Sequence, residues 1–313
     1  MLKIHRSKER NLDLICINHF EGLKASIIKS LKSSDCRFNK SIKIYIEKNL
    51  EALITFKPKD LLQIEKDLYS FIKKYRTDKK LIDLEFRKIF NYNAFIKRKV
   101  NVGWNPYKLA GALNIRTCLY CNRQYTFTII EDGNQVTRPE FDHFFSQKAH
   151  PLLSLSFYNL IPSCTICNKK KGSKEFSLSK YLHPYENEHG SNAIFTWIPK
   201  NYRSLVGRAN DLDIKIIERQ NCTNKKAINR QNKVFKLENI FSEHSDYIQE
   251  IILKAHISKG AYLIWFLKLF KSCSKDELYR IAFGNYVNEK DFDKRVLAKL
   301  TFDVANELKL INP

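Results

Sequence analysis

Apolar residues recur at helical spacing through both ends of the chain and change to a shorter period in the middle. Over 12–33 and 42–76 they return every three or four positions, with Ile44, Ile46, Leu50, Leu53, Ile54, Leu61, Leu62, Ile64, Leu68, Phe71 and Ile72 forming the second series. That spacing predicts amphipathic helices, the second divided at Pro58 because proline lacks the amide a helix interior needs. A further helix is expected over 80–98, and VGWNPYKLAGAL (102–113) leads into a region of different character. There YTFTII (125–130) and QVTRPEF (135–141) read as strands joined at Asp132-Gly133, and FYNLIP (157–162) reads as a third. A short helix over 166–172 follows, then strands at 193–198 and 211–218, and helix again from about 223 to 310. Within that last stretch GAYLIWFLKLF (260–270) is expected to be a buried core helix, since it is too short to span a bilayer.

The expected class is therefore α+β, with mainly helical flanks at 1–100 and 191–313 around a mixed core at 101–190. Scarce Gly and Pro, 9 and 8 in 313 residues, agree with long helices rather than an all-β chain. No run is long and apolar enough for a transmembrane helix, and the charged start interrupted by Asp13 and Asn18 does not resemble a signal peptide. A cytoplasmic protein with reduced cysteines is the expectation.

Charge adds a partner. The formal net charge is +22, spread as +12 over residues 1–100, +3 over 101–190 and +7 over 191–313. An excess of this size is the electrostatic signature of a polyanion binder, with the flanks supplying most of the phosphate-tracking surface. An AT-rich genome would enrich Lys, but would not explain why Asp and Glu fail to keep pace.

Four of the eight cysteines form two Cys-x-x-Cys pairs, CLYC (118–121) and CTIC (164–167). In a reduced chain, two such knuckles are the usual ligand set of a tetrahedral structural zinc, here Cys118, Cys121, Cys164 and Cys167. The 42 residues between the pairs require a folded insert, which zinc would hold in register. Core packing is the default for the four isolated cysteines.

Between and beside the knuckles stand Asp142-His143, Asn159 and Asn168. A neutral imidazole can take a proton from water, while a carboxylate and an amide oxygen can hold a divalent cation against a phosphate. Taken alone, Asp142-His143 would be read as a satisfied hydrogen-bonded pair. With the run FDH…YNLIPSCTICNKKKGS and CLYCNRQY upstream, however, the region resembles the zinc-containing branch of the HNH (ββα-metal) nucleases. The resemblance covers about residues 101–185. It implies that Asp142 and Asn168 are ligands of a catalytic Mg²⁺ or Mn²⁺, His143 is the general base, and Asn159 orients the base or its loop. Asn168 stands where many members have His. More loosely, the whole chain is similar to HNH proteins encoded beside an ATPase in bacterial anti-phage systems of the Septu and retron type.

Lys169, Lys170, Lys171 and Lys174 would ordinarily form a solvated face, but beside a phosphate site they are candidate nucleic-acid contacts. The expectation is a metal-dependent endonuclease acting on DNA in preference to RNA, with an ATPase partner in antiviral defence. Two alternatives stay open: an RNA-targeting (transfer-RNA) nuclease toxin, and a zinc-dependent nucleic-acid-binding module without catalysis.

Overall fold

Asparagine side chains start four helices in the first part of the chain. Asn11, Asn39, Asn91 and Asn105 each accept a backbone N–H two or three residues ahead, satisfying amides that a helix start leaves open. The computed structural model describes residues 2–7, 9–75, 78–186, 192–219, 222–258, 268–270 and 272–311.

The chain divides into two units. One comprises residues 5–115 and 126–179. Its helices are α1 (Leu12–Lys32), α2 (Lys40–Lys48), α3 (Leu50–Thr55), α4 (Pro58–Lys73), α5 (Lys79–Ile89), α6 (Tyr92–Ile96) and α7 (Pro106–Leu113). Strands β1 (Ile129–Glu131), β2 (Asn134–Thr137), β3 (Glu140–His143) and β4 (Leu160–Ser163) follow, then α8 (Thr165–Lys171). The apolar stripe of α1 packs through Leu23, Ile27 and Leu31, all essentially inaccessible, and α3 contributes Leu53 and Ile54 to the same interior. Pro58 does open a helix, as its fixed φ favours. Unforeseen breaks occur at Asn49 and between Ile89 and Tyr92.

The middle strands differ from the sequence expectation. Residues 135–141 are not one strand: β2 pairs only with β1, and the chain breaks at Arg138-Pro139 before β3 begins. Proline cannot donate to a ladder, so it marks the point where the chain leaves one sheet for another. Asp142 and His143 therefore lie within β3. It runs antiparallel to β4, with Asp142 opposite Ile161 and His143 opposite Leu160. The expected strand 157–162 is half a strand, because Phe157–Asn159 form a 3₁₀ turn that delivers the chain into β4.

The other unit comprises residues 1–4, 116–125 and 180–313. Its elements are β5 (Ala193–Pro199), α9 (Tyr202–Leu205), β6 (Leu212–Glu218), α10 (Lys225–Phe235), α11 (Leu237–Ser242), α12 (Ser245–Ser258), α13 (Lys275–Phe283) and α14 (Ala298–Glu307). Strands β5 and β6 form one antiparallel ribbon in register from Ala193–Glu218 to Pro199–Leu212. Asp303 of α14 accepts the Phe195 amide and pairs with Lys299, which ties helix to ribbon. Most of the apolar stretch 260–270 (residues 260–267) lies outside the described residues. The fold is thus α+β, helix-rich with small antiparallel sheets. Among the described residues no helix is long and apolar enough to cross a membrane.

Candidate active site

His143 ends β3, is 8% exposed, and donates from Nε2 to the Ser154 carbonyl at 2.9 Å. A carbonyl can only accept, so that bond fixes the proton on Nε2 and leaves the lone pair on Nδ1. The Tyr92 ring meets the imidazole edge-on with centroids 4.4 Å apart. Burial pushes the His143 pKa down to about 4; the Ser154 bond opposes this and the Lys171 charge adds to it. At neutral pH the ring is uncharged and can accept a proton.

Asn159 is fully buried and acts on the loop rather than on the imidazole. Its Oδ1 accepts the Phe145 amide at 2.7 Å, and its Nδ2 donates to the carbonyls of Leu153 (2.9 Å) and Phe145 (3.2 Å). Those bonds clamp the loop after β3, whose next carbonyl, that of Ser154, sets the His143 tautomer. His150, in the same loop, sits between Glu65 (2.6 Å) and Glu175 (3.2 Å). Burial alone would lower its pKa, but the bonds and charges of the two carboxylates outweigh that and raise it.

The two other anticipated residues each have a partner that the sequence did not announce. Asn168, on α8, donates from Nδ2 to Glu140 Oε2 at 2.6 Å, and Thr165 holds the other Glu140 oxygen at 2.9 Å. Asp142 is 3% exposed, with Lys171 Nζ at 3.2 Å from its Oδ1. Lys171 also donates to the His143 carbonyl. It is 1% exposed, whereas Lys169, Lys170 and Lys174 are exposed. Of the four lysines expected as candidate nucleic-acid contacts, Lys171 is thus the one that α8 turns toward β3 and buries, which removes it from a solvent-facing role.

A cavity of about 590 Å³ opens over these groups, lined by Glu140, Asp142, His143 and Asn168, with Arg87 and Arg138 on its wall. Glu140 was missed although it has a signal. It lies two positions before Asp142, which in a strand is the same face. Arg87 and Tyr92 come from helical segments far upstream, and no local pattern links them to the motif.

The four paired cysteines are all buried, and their Sγ atoms lie within 4.8 Å of one another. A zinc tetrahedron with Zn–S of about 2.3 Å has edges of about 3.8 Å, so the group could hold a structural metal such as zinc. Two of the sulfurs accept backbone amides at 3.4 Å, Cys164 from Cys167 and Cys121 from Arg123. Cys164 also caps α8, the helix that carries Asn168 and Lys171. Of the isolated cysteines, Cys16, Cys36 and Cys222 are buried. Burial pushes the Cys16 thiol up to about 12, as expected of an inert packing residue.

No family model, curated protein or solved structure matches the chain at a significant level.

Proposed function

We propose that the chain is a metal-dependent nuclease of the HNH (ββα-metal) type, hydrolysing phosphodiester bonds in nucleic acid. One observation carries the reading. A buried, neutral imidazole, its tautomer set by the Ser154 carbonyl, stands beside a carboxylate in a cavity walled by arginines. His143 Nδ1 takes a proton from water, and the oxygen so activated attacks phosphorus as the bond to the leaving oxygen breaks. Arg87 and Arg138 on the cavity wall would attract the phosphate. Products with 5′-phosphate and 3′-hydroxyl ends follow from the resemblance.

The donors on the cavity fit a hard divalent cation. With Asn168 Nδ2 committed to Glu140, its Oδ1 is the amide atom left to act as a ligand, and Asp142 and Glu140 offer carboxylate oxygen. Asp142 and Asn168 would hold Mg²⁺ or Mn²⁺, which supplies positive charge against the phosphate and the leaving oxygen. Zinc at the four cysteines is read as structural, since four thiolates leave no open position. DNA is the proposed target, and the resemblance to Septu and retron effectors extends the proposal to an ATPase partner in anti-phage defence.

The test is His143→Ala, assayed on plasmid DNA and total transfer RNA in parallel with Mg²⁺ or Mn²⁺. The substitution should cost about a hundredfold to ten-thousandfold in cleavage, with zinc content and DNA binding unchanged. Which substrate is cut decides between DNA and RNA. A variant that cuts as fast as wild type refutes the catalytic reading, and binding without cleavage by either protein favours the non-catalytic module.

A further inference from the structure

Lysine is almost never fully buried unless it is paired, yet Lys171 is 1% exposed at the end of α8. Its ammonium reaches Asp142 Oδ1 at 3.2 Å and the His143 carbonyl, while the Phe176 ring covers it at 4.9 Å. Both polar links go to the two consecutive residues on which the proposed chemistry depends. The placement has two effects. It fixes the end of β3 from the helix side, so carboxylate and base are held in register before substrate arrives. It also puts a positive charge against the carboxylate that is read as a cation ligand.

The second effect follows from the geometry. An ammonium 3.2 Å from Asp142 Oδ1 repels any further cation brought to that carboxylate, and a divalent cation meets twice the repulsion of a single charge. Arg87 and Arg138 on the cavity wall add to it. A phosphodiester entering the cavity brings the negative charge that offsets all of these. Resting on the nuclease reading above, we propose that Lys171 is a positioning residue that organises Asp142 and His143 in the cation's absence. It thereby makes tight binding of the divalent cation conditional on a bound phosphodiester. By linkage, the cation must tighten binding of the nucleic acid by the same factor.

The experiment is a Mn²⁺ titration of the full-length, zinc-loaded protein, followed by the electron paramagnetic resonance of free Mn²⁺. Wild type and Lys171→Met are compared without nucleic acid. Methionine keeps most of the side-chain volume and removes the charge. The variant should bind Mn²⁺ at least about tenfold tighter, because one positive charge beside the carboxylate is removed. Circular dichroism and zinc content establish that it is folded. Because breaking a buried ion pair is destabilising, a second measurement does not need the variant. In His143→Ala protein that retains Lys171, a 20-base-pair DNA duplex should tighten Mn²⁺ binding by at least about tenfold, after subtracting Mn²⁺ held by the duplex alone. Equal Mn²⁺ affinity for folded wild type and Lys171→Met, or no effect of the duplex, overturns the inference. If His143-dependent cleavage persists in that case, the nuclease reading survives and only the role of Lys171 fails. Absence of both Mn²⁺ binding and cleavage removes both.

Discussion

His19 makes a quantitative prediction about acid. Its Nδ1 accepts the Trp104 indole N–H at 2.9 Å, so its proton must lie on Nε2, which donates to the Leu155 carbonyl at 2.9 Å. Neutral imidazole satisfies both partners. Imidazolium would set an N–H against the indole N–H inside a site with no exposure. Burial accordingly lowers its pKa from 6.5 to about 4, with the Leu155 bond opposing and the Arg98 charge adding. The unfolded chain then takes up the proton first as pH falls, so stability is lost between about pH 6.5 and pH 4 and no penalty exists above that window. From pH 7 to pH 4.5 the loss from this one group is about 2 kcal/mol. His19→Gln removes the titration while its amide can still donate to Leu155. Urea midpoints for both proteins at the two pH values, with unchanged slope, give the difference directly. Effects common to both proteins cancel, including those of His143, His150 and any zinc loss. Wild type should lose about 2 kcal/mol more than the variant on acidification, and equal losses would refute a buried neutral His19.

Two further outcomes follow from packing and from the cysteine group. A Cβ on Gly22 would fall 2.1 Å from the Trp104 Cβ. Gly22→Ala should therefore lower the unfolding free energy by roughly 1–3 kcal/mol despite alanine's better helix propensity, seen as a lower urea midpoint, and shift the Trp fluorescence as the indole leaves His19; a raised midpoint would contradict the close approach. Freshly purified protein should carry about one zinc per chain by metal analysis, and Cys164→Ser should lose both the metal and soluble yield, whereas a metal-free, fully soluble wild type would dismiss the zinc reading.

Legibility followed chain distance. The four cysteines stand in two close pairs, so spacing alone pointed to them, whereas Asp142, His143, Asn159 and Asn168 were reached through the resemblance carried by the same short region. The long helices were equally plain, because their apolar period persists over several turns. The errors arose where a local signal has two physical readings. FYNLIP is an apolar run that suits a strand, yet its first half is a 3₁₀ turn that buries the Asn159 amide against the loop. Lys171 belongs to a run of lysines that composition assigns to solvent. Only the rotation of α8 against β3 decides that one of them faces inward. The break at Arg138-Pro139 was available from proline chemistry and was overlooked, whereas the pairings of His19 with Trp104 and His150 with Glu65 span 85 residues each and have no local trace.

Those distant pairings bear on the site itself. The carbonyl that orients His143 belongs to Ser154, and the chain on either side of it is anchored four times. Asn159 takes the Leu153 carbonyl, His19 of α1 takes that of Leu155, Ser156 donates to Leu53 of α3, and His150 is held by Glu65 of α4. An orienting group must be rigid before substrate binds, because displacements near 1 Å can cost about a hundredfold in rate. The helical region before the motif therefore does more than add positive charge. Arg98 illustrates this, since its guanidinium is spent on the carbonyls of Gly22 and Trp104 and on the Ser26 hydroxyl, not on a polyanion. It fixes Trp104, which fixes His19, which fixes the residue next to Ser154. A basic side chain in this region can act on the proposed chemistry through packing alone, and net charge by itself overstates how many of the lysines and arginines would be available to the proposed nucleic-acid substrate.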